Sequence, residues 1–336
     1  LTADYYYKKT KDLLLNATLA PSMGYLSAYR NVGSVSNSGL ELTIDTKNIQ
    51  TKEFSWTSSF NISFNRNKVL SLNDDEPSLA SRVNWGNFNN AYPYIAIPGH
   101  PIAMFYGHIF DGVYQYTDFD KVGESYILKD GVPNNGNARE KIQPGDIKFK
   151  DINRDGVVND YDLTIIGNPN PKHIGGFGNN FQYKNFDLNV FFQWSYGGDV
   201  LNANRIEFEG GDPNARTSLN MFASFANRWT PENQTNELYR IGGQGPAVYS
   251  SRTIEVGSFL RLKTVSLGYR LPNAWLKKIN IKSLRVYASA QNLITWTKYS
   301  GPDPEVSTRP TALTPSFDWS PYPRPRTLTL GVDISF

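Results

Sequence analysis

The chain is 336 residues long, with 34 Lys and Arg against 31 Asp and Glu, 39% hydrophobic residues and no cysteine. Lack of cysteine excludes disulfide frameworks, thiolate zinc sites and cysteine nucleophiles, a net charge of +3 with no Lys/Arg stripe speaks against nucleic acid, and no apolar run approaches the roughly 20 residues of a membrane-spanning helix. Against that hydrophilic background, 20 Tyr, 19 Phe and 7 Trp are a surplus that needs a place.

In chain order, Leu1 to Lys8 has no basic start, apolar core or cleavage site, and reads as mid-strand sequence, so the chain is expected to be part of a longer one. About eight stretches of roughly ten residues then show period-2 alternation, the strand signal, with hardly any helical period. Leu1 to Leu14 is a weak member. Leu40, Leu42 and Ile44 oppose Glu41, Thr43 and Asp45, and Phe54, Trp56, Phe60, Ile62 and Phe64 oppose Ser55, Thr57, Ser59, Asn61, Ser63 and Asn65. Ile174 to Lys184 is weaker. The cleanest is 186–196, where Phe186, Leu188, Val190, Phe192, Trp194 and Tyr196 oppose Asp187, Asn189, Gln193 and Ser195, with Phe191 the exception. In Phe259 to Arg270 the apolar phase slips between Leu262 and Val265, the mark of a bulge. Leu284 to Trp296 follows, and Leu328, Leu330, Val332, Ile334 and Phe336 close the chain.

Such alternation suits a soluble sandwich or a membrane barrel. A sandwich shows water a face rich in Lys and Glu over an aliphatic core. Here the polar face is Ser, Thr, Asn, Gln and Asp, and the apolar face carries large aromatics, as in a barrel with a wet lumen and interfacial rings. The connections also alternate: 15–38 long, 47–53 short, 68–173 very long, Asn185 tight, 197–258 long, 271–283 moderate, 298–326 long. Outer-membrane barrels have short periplasmic turns and longer extracellular loops. The fold class expected is therefore an all-β transmembrane antiparallel barrel, with 68–173 a very long extracellular loop region.

One local motif points to a cation. Asp151, Asn153, Asp155, Asn159 and Asp162 stand at positions 1, 3, 5, 9 and 12 of a calcium-type loop, Gly156 at 6 permits the turn, and Val157 would give its carbonyl. Asp162 replaces the usual Glu. Turns built by Asp and Asn on their own backbone are the alternative account. Bound Ca²⁺ would staple a very long loop.

Catalytic constellations are poor. His100, His108 and His173 show no triad or metal spacing, Glu207 and Glu209 would be a glycosidase pair only in a cleft, and Gly175 to Gly178 lies within a strand pattern with no following helix. An enzyme is not expected. In the loops, Trp85, Asn87, Phe88, Asn89 and Tyr92, with Trp319 and Tyr322, set flat rings beside amides and are the ligand-binding candidates; Trp229, Tyr239, Tyr249 and Phe317 are further loop rings. For any single ring, packing of loop on loop is the simpler account.

Several motifs, in order, resemble one family. They are Phe105 to Gln115 (FYGHIFDGVYQ), Pro144-Gly145-Asp146 leading into the Asp151 loop and Ile166 to Pro169 (IGNP), Arg228 to Asn233 (RWTPEN), Gly257 to Lys263 (GSFLRLK), Leu267 to Pro272 (LGYRLP), Gln291-Asn292-Leu293, and Lys298 to Glu305 (KYSGPDPE). The chain resembles the C-terminal part of a SusC/RagA-type TonB-dependent outer-membrane transporter of the Bacteroidota, over nearly its whole length. The resemblance implies a 22-stranded barrel with an N-terminal plug, located in the bacterial outer membrane, importing oligosaccharides or, as in the RagA type, peptides. It implies a SusD-like surface lipoprotein as lid, energy from TonB-ExbB-ExbD, outer-membrane lipid around the wall, and a dimer of transporter–lipoprotein pairs. In the family Asp often stands where Asn159 does here, which bears on cation affinity. A secreted β-sandwich glycan-binding module or glycosidase, and a stand-alone small porin, are the competing readings.

Overall fold

The structure is a computed structural model that describes residues 1–18, 27–31, 33–72, 76–83, 91–210, 219–276, 281–308 and 311–336. Eight strands form one sheet: β1 (Thr2–Thr10), β2 (Ser34–Gln50), β3 (Phe54–Ser71), β4 (His173–Tyr183), β5 (Phe186–Tyr196), β6 (Phe259–Arg270), β7 (Ser283–Thr297) and β8 (Thr327–Ser335). Their order in the sheet is their order in the chain, and every neighbouring pair is antiparallel. It is an up-and-down meander, the wall of a β-barrel.

Register aligns the apolar positions into rows. Ile44, Phe60, Phe177 and Phe192 are successive cross-strand partners, as are Leu188, Leu267, Ala288 and Leu330. Partners share a face, because side chains alternate along a strand. The face is not buried: Leu330 is 86% exposed, Leu328 77% and Leu267 51%. A row of exposed leucines in water would cost about 25 cal/mol per Å²; the same row against hydrocarbon costs nothing. Rings mark the ends of this band. Tyr183, Phe186 and Tyr269 lie at the short-turn end, Phe186 and Tyr269 with centroids 4.6 Å apart, and Trp194, Tyr196 and Trp296 lie at the other. The 11 residues of β5 run between the two girdles. At ~3.4 Å per residue and a tilt of about 45° they cover ~24 Å, the height of a membrane barrel's apolar band.

Two strands exceed the band. β2 and β3 have 17 and 18 residues, and their upper halves, rich in Ser and Asn, carry no apolar alternation to extend the sequence pattern. The phase slip in β6 is a bulge: Phe191 pairs with Thr264 but Phe192 with Leu262, and Leu262 and Thr264 face Ile294 and Gln291 across β7. Phe191, the exception in its strand, points inward over glycines; a Cβ on Gly176 would lie 2.9 Å from its ring. The bare positions on β4 are filled from β5.

The buried core lies in the connections. Val83, Tyr94, Ala103 and Phe105 from 72–172, Leu201 and Ala203 from 197–258, and Phe317 from 298–326 make one cluster. Val113, Ile147, Phe149 and Val158 with Trp229, Leu238 and Tyr239 make a second. The short strand Asp199–Asn202 pairs antiparallel with Ile254–Val256 and parallel with Phe317–Asp318, knitting two connections together. All the long connections leave from one end of the wall, so this packed assembly caps that end.

Candidate functional site: the recess beneath the loop cap

Where the cap meets the inner face of the wall there is a recess of about 670 Å³, within the range of small-ligand sites. Asn61, Ser63, Phe191, Gln193 and Lys263 line it from the strands, and Asp199, Phe259 and Glu305 near or within the cap complete it. Polar side chains occupy these positions because they belong to the inward half of each alternation. Lys263 sits in the bulge of β6 and donates to Gln193 Oε1 at 2.5 Å. The Asp199 carboxylate accepts from the Asn168 amide at 2.8 Å, and burial holds its pKa above the usual carboxylate value.

Two charged networks fix the cap. Arg261 on β6, 1% exposed, donates to Asp303 at 2.6 Å, Glu305 at 3.1 Å and Thr295 at 3.1 Å. Arg324 meets the same two carboxylates. The second network joins Glu209 to Arg205 and Arg252 at 2.8 and 2.7 Å, with Ser224 donating to its other oxygen. Although burial opposes it, these partners hold the Glu209 carboxyl below its ordinary pKa. Glu207 and Glu209 stand two apart on the short helix Asn204–Glu209, and Glu209 is committed to ion pairs. Asp318, fully buried, accepts from the Tyr299 hydroxyl and from Asn204 Nδ2 at 2.9 Å, and burial raises its pKa. Asp146, also raised by burial, pairs with Arg240 Nε at 2.8 Å and accepts from the Gln143 amide at 2.9 Å. His108 stacks on Phe149 at 5.3 Å, and burial lowers its pKa.

Of the ring candidates, Trp85, Asn87, Phe88 and Asn89 lie outside the described residues. Tyr92 is 41% exposed and Tyr322 93% exposed. Trp319 stacks on Phe208 at 5.9 Å with planes 8° apart and packs on the first cap cluster. Trp229, Tyr239 and Phe317 are buried in cap cores, and Tyr249 donates to the Tyr106 carbonyl at 2.7 Å. The described candidates are thus spread over the cap, not gathered on the recess. The recess residues Gln193 and Lys263 escaped the sequence reading, although the phase slip in β6 was a signal for the second.

The twelve-residue loop Asp151 to Asp162 joins short strands Ile147–Phe149 and Thr164–Gly167. Asp151 accepts from the Arg154 and Gly156 amides, Asn153 from Asp155, Asp155 from Val157, and Asn159 from Tyr161, at 2.6 to 3.0 Å. Asp162 is fully buried and uses both oxygens, on the amides of Ile152 and Asn159. Each amide occupies one lone pair of an oxygen that has two, so Asp151, Asn153, Asp155 and the Val157 carbonyl retain acceptor capacity that fits a hard cation. Among the described residues, no three His, Asp or Glu side chains are already gathered as a metal cluster.

No family profile matches the chain. Individual proteins do. It is 35% identical over 341 residues to the TonB-dependent receptor P3 of Formosa agariphila, covering 100% of the chain and 32% of that protein, and 30% identical to the TonB-dependent receptor SusC of Bacteroides thetaiotaomicron, covering 99% and 30%. Among solved structures, the RagAB peptide transporter superposes with a TM-score of 0.75 at 25% identity, over 99% of this chain and 33% of that one. The chain spans about a third of the length of these relatives. With an outward apolar wall and capped polar recess, these similarities establish that the chain belongs to the SusC/RagA family of TonB-dependent receptors.

Proposed function

We propose that the receptor containing this chain sits in the bacterial outer membrane and imports oligosaccharides through the barrel lumen. The observation that carries this reading is the inversion of the wall: apolar rows face outward unburied, while polar side chains and a recess of about 670 Å³ face inward beneath a packed cap. Among the described residues β1 and β8 each pair on one side only. An unpaired strand edge is untenable in hydrocarbon, where each unsatisfied backbone group costs several kcal/mol, so the wall is continued by further strands; the family resemblance implies about 22 in all. A SusD-like lipoprotein as lid, TonB-ExbB-ExbD as the energy source, and a dimer of transporter–lipoprotein pairs complete the reading. The relatives are named as receptors or a transporter, which supports a role other than catalysis. In the cap, Tyr92 and Tyr322 present open rings to cargo with Trp85, Asn87, Phe88, Asn89 and Trp319 as the other candidates, and Ca²⁺ on Asp151, Asn153, Asp155, Val157, Asn159 and Asp162 would brace the 72–172 connection.

Peptide import is the second reading, favoured by the match to the RagAB peptide transporter. Uptake of labelled oligosaccharides and labelled peptides by cells carrying the full receptor and its lipoprotein, with and without a protonophore, tests both. Energy-dependent uptake of one cargo class is expected; uptake of neither, or uptake unaffected by deleting the receptor, contradicts import.

A further inference from the structure

Arg261 and Arg285 are inward-facing cations on β6 and β7, and each holds two carboxylates: Asp303 and Glu305 for Arg261, Asp187 and Asp333 for Arg285. Lys263 is different. Its ammonium has three donors; among the described residues its one hydrogen bond is to the neutral Gln193 amide oxygen at 2.5 Å, and it makes no ion pair. It is half-buried and borders the recess.

The backbone explains why a lysine is there at all. In a regular strand Arg261 and Lys263 would share a face, with Val265 following on the same side. The bulge between Leu262 and Thr264 inserts Lys263 as an extra residue, so that Thr264 also comes to face inward, opposite Phe191, and Val265 returns outward opposite Val190. Bulges beside binding sites re-aim single side chains in this way. The recess is otherwise lined by the neutral Asn61, Ser63 and Ser195, by the Phe191 and Phe259 rings, and by the Asp199 carboxylate, which accepts from the Asn168 amide at 2.8 Å. Glu305, across the recess, is held by Arg261 and Arg324.

From this placement we infer that Lys263, oriented by Gln193, binds a carboxylate of the cargo in the recess beneath the cap, and so selects acidic oligomers over neutral ones. The inference rests on the import reading above and narrows it to carboxylate-bearing cargo, whether an acidic oligosaccharide or an acidic peptide. One or two charge-assisted N–H···O contacts would form, with the rings bordering the cargo's apolar face.

The test uses the full receptor with its lipoprotein, in detergent, and two pairs of probes: an oligouronate and its methyl ester, and a Glu-rich oligopeptide and its side-chain amide. Wild type is expected to bind the acidic member of one pair more tightly, and that pair identifies the source. Lys263→Met should weaken that acidic probe by about ten- to hundredfold, the span of a hydrogen bond to a charged group, and leave the neutral partner unchanged; Lys263→Arg should retain most of the binding. Equal weakening of acidic and neutral probes, or no change, overturns the inference, the latter because Lys263 is then merely solvated or paired elsewhere in the receptor. If wild type binds the neutral members as tightly as the acidic ones, import stands and selection by Lys263 falls. If it binds none of the four, selection of acidic cargo by Lys263 falls, and import is decided by the uptake measurement alone.

Discussion

The Arg261 guanidinium, rooted in the wall, lies 2.6 Å from the Asp303 carboxylate of the 298–326 connection. Two of the stretches that carry the family resemblance, Gly257 to Lys263 and Lys298 to Glu305, therefore meet in one contact. Breaking a buried pair by removing one partner leaves an uncompensated charge and costs about 3–5 kcal/mol. Arg261→Met is expected near the lower end, since Arg324 still contacts both carboxylates and Glu305 is partly exposed. Urea unfolding of the full receptor in detergent, repeated with Asp303→Asn and the double variant, should show strong coupling; additive losses would contradict the pairing.

Asp318 gives the cap a pH dependence. Burial raises its pKa above 3.8, the ordinary value. Between 3.8 and the raised value the folded protein holds a proton that the unfolded chain has lost, so stability falls as pH rises through that window and is complete below it. Asp146 and Asp199 act in the same direction. Asp318→Asn should flatten the fall in cap stability when unfolding is followed from about pH 4 to about pH 8. An unchanged profile would remove Asp318 from the account.

Chelation tests the Asp151 loop. If Ca²⁺ is held there, chelator should lower the thermal stability of the cap, added Ca²⁺ should restore it, and Asp155→Asn should abolish both effects. No shift in either direction would leave the loop as turns on its own amides, such as Gly156 N–H to Asp151 at 2.8 Å.

Depth governs charge on the outer wall. Val265 lies in the middle of the band, opposite Val190, and Leu260 lies at the upper girdle, opposite Trp194 and Trp296. Val265→Arg should cost about 2–4 kcal/mol and Leu260→Arg about 0–1 kcal/mol, measured by unfolding from lipid vesicles. Equal costs would contradict the assigned depth.

Much of the wall could be read from the sequence because period-2 alternation is a local property. The face of β5 that carries Phe186, Leu188 and Val190 emerged as a row, and the slip in β6 emerged as a bulge. The upper halves of β2 and β3 did not, since outside the apolar band no alternation is required. The cap was the least legible part. Trp229 packs with Val113 and Ile147, residues about a hundred positions away, and no periodicity links them. For the same reason exposed Tyr322 and buried Phe317 looked alike. Lys263 needed both the bulge and the cross-strand Gln193 before its direction could be seen.

Alternate residues of β5 face opposite sides of the wall, one set outward and the other toward the recess. The 336 residues contain no cysteine, so single cysteines can be placed within them without removing others. In the full receptor reconstituted in lipid vesicles, Leu188→Cys, Val190→Cys and Phe192→Cys should react with a membrane-soluble thiol label and resist a water-soluble one. Asn189→Cys, Phe191→Cys and Gln193→Cys should show the opposite preference. Equal labelling of the two sets, or an outward set closed to both reagents as in a sandwich core, would contradict a barrel wall.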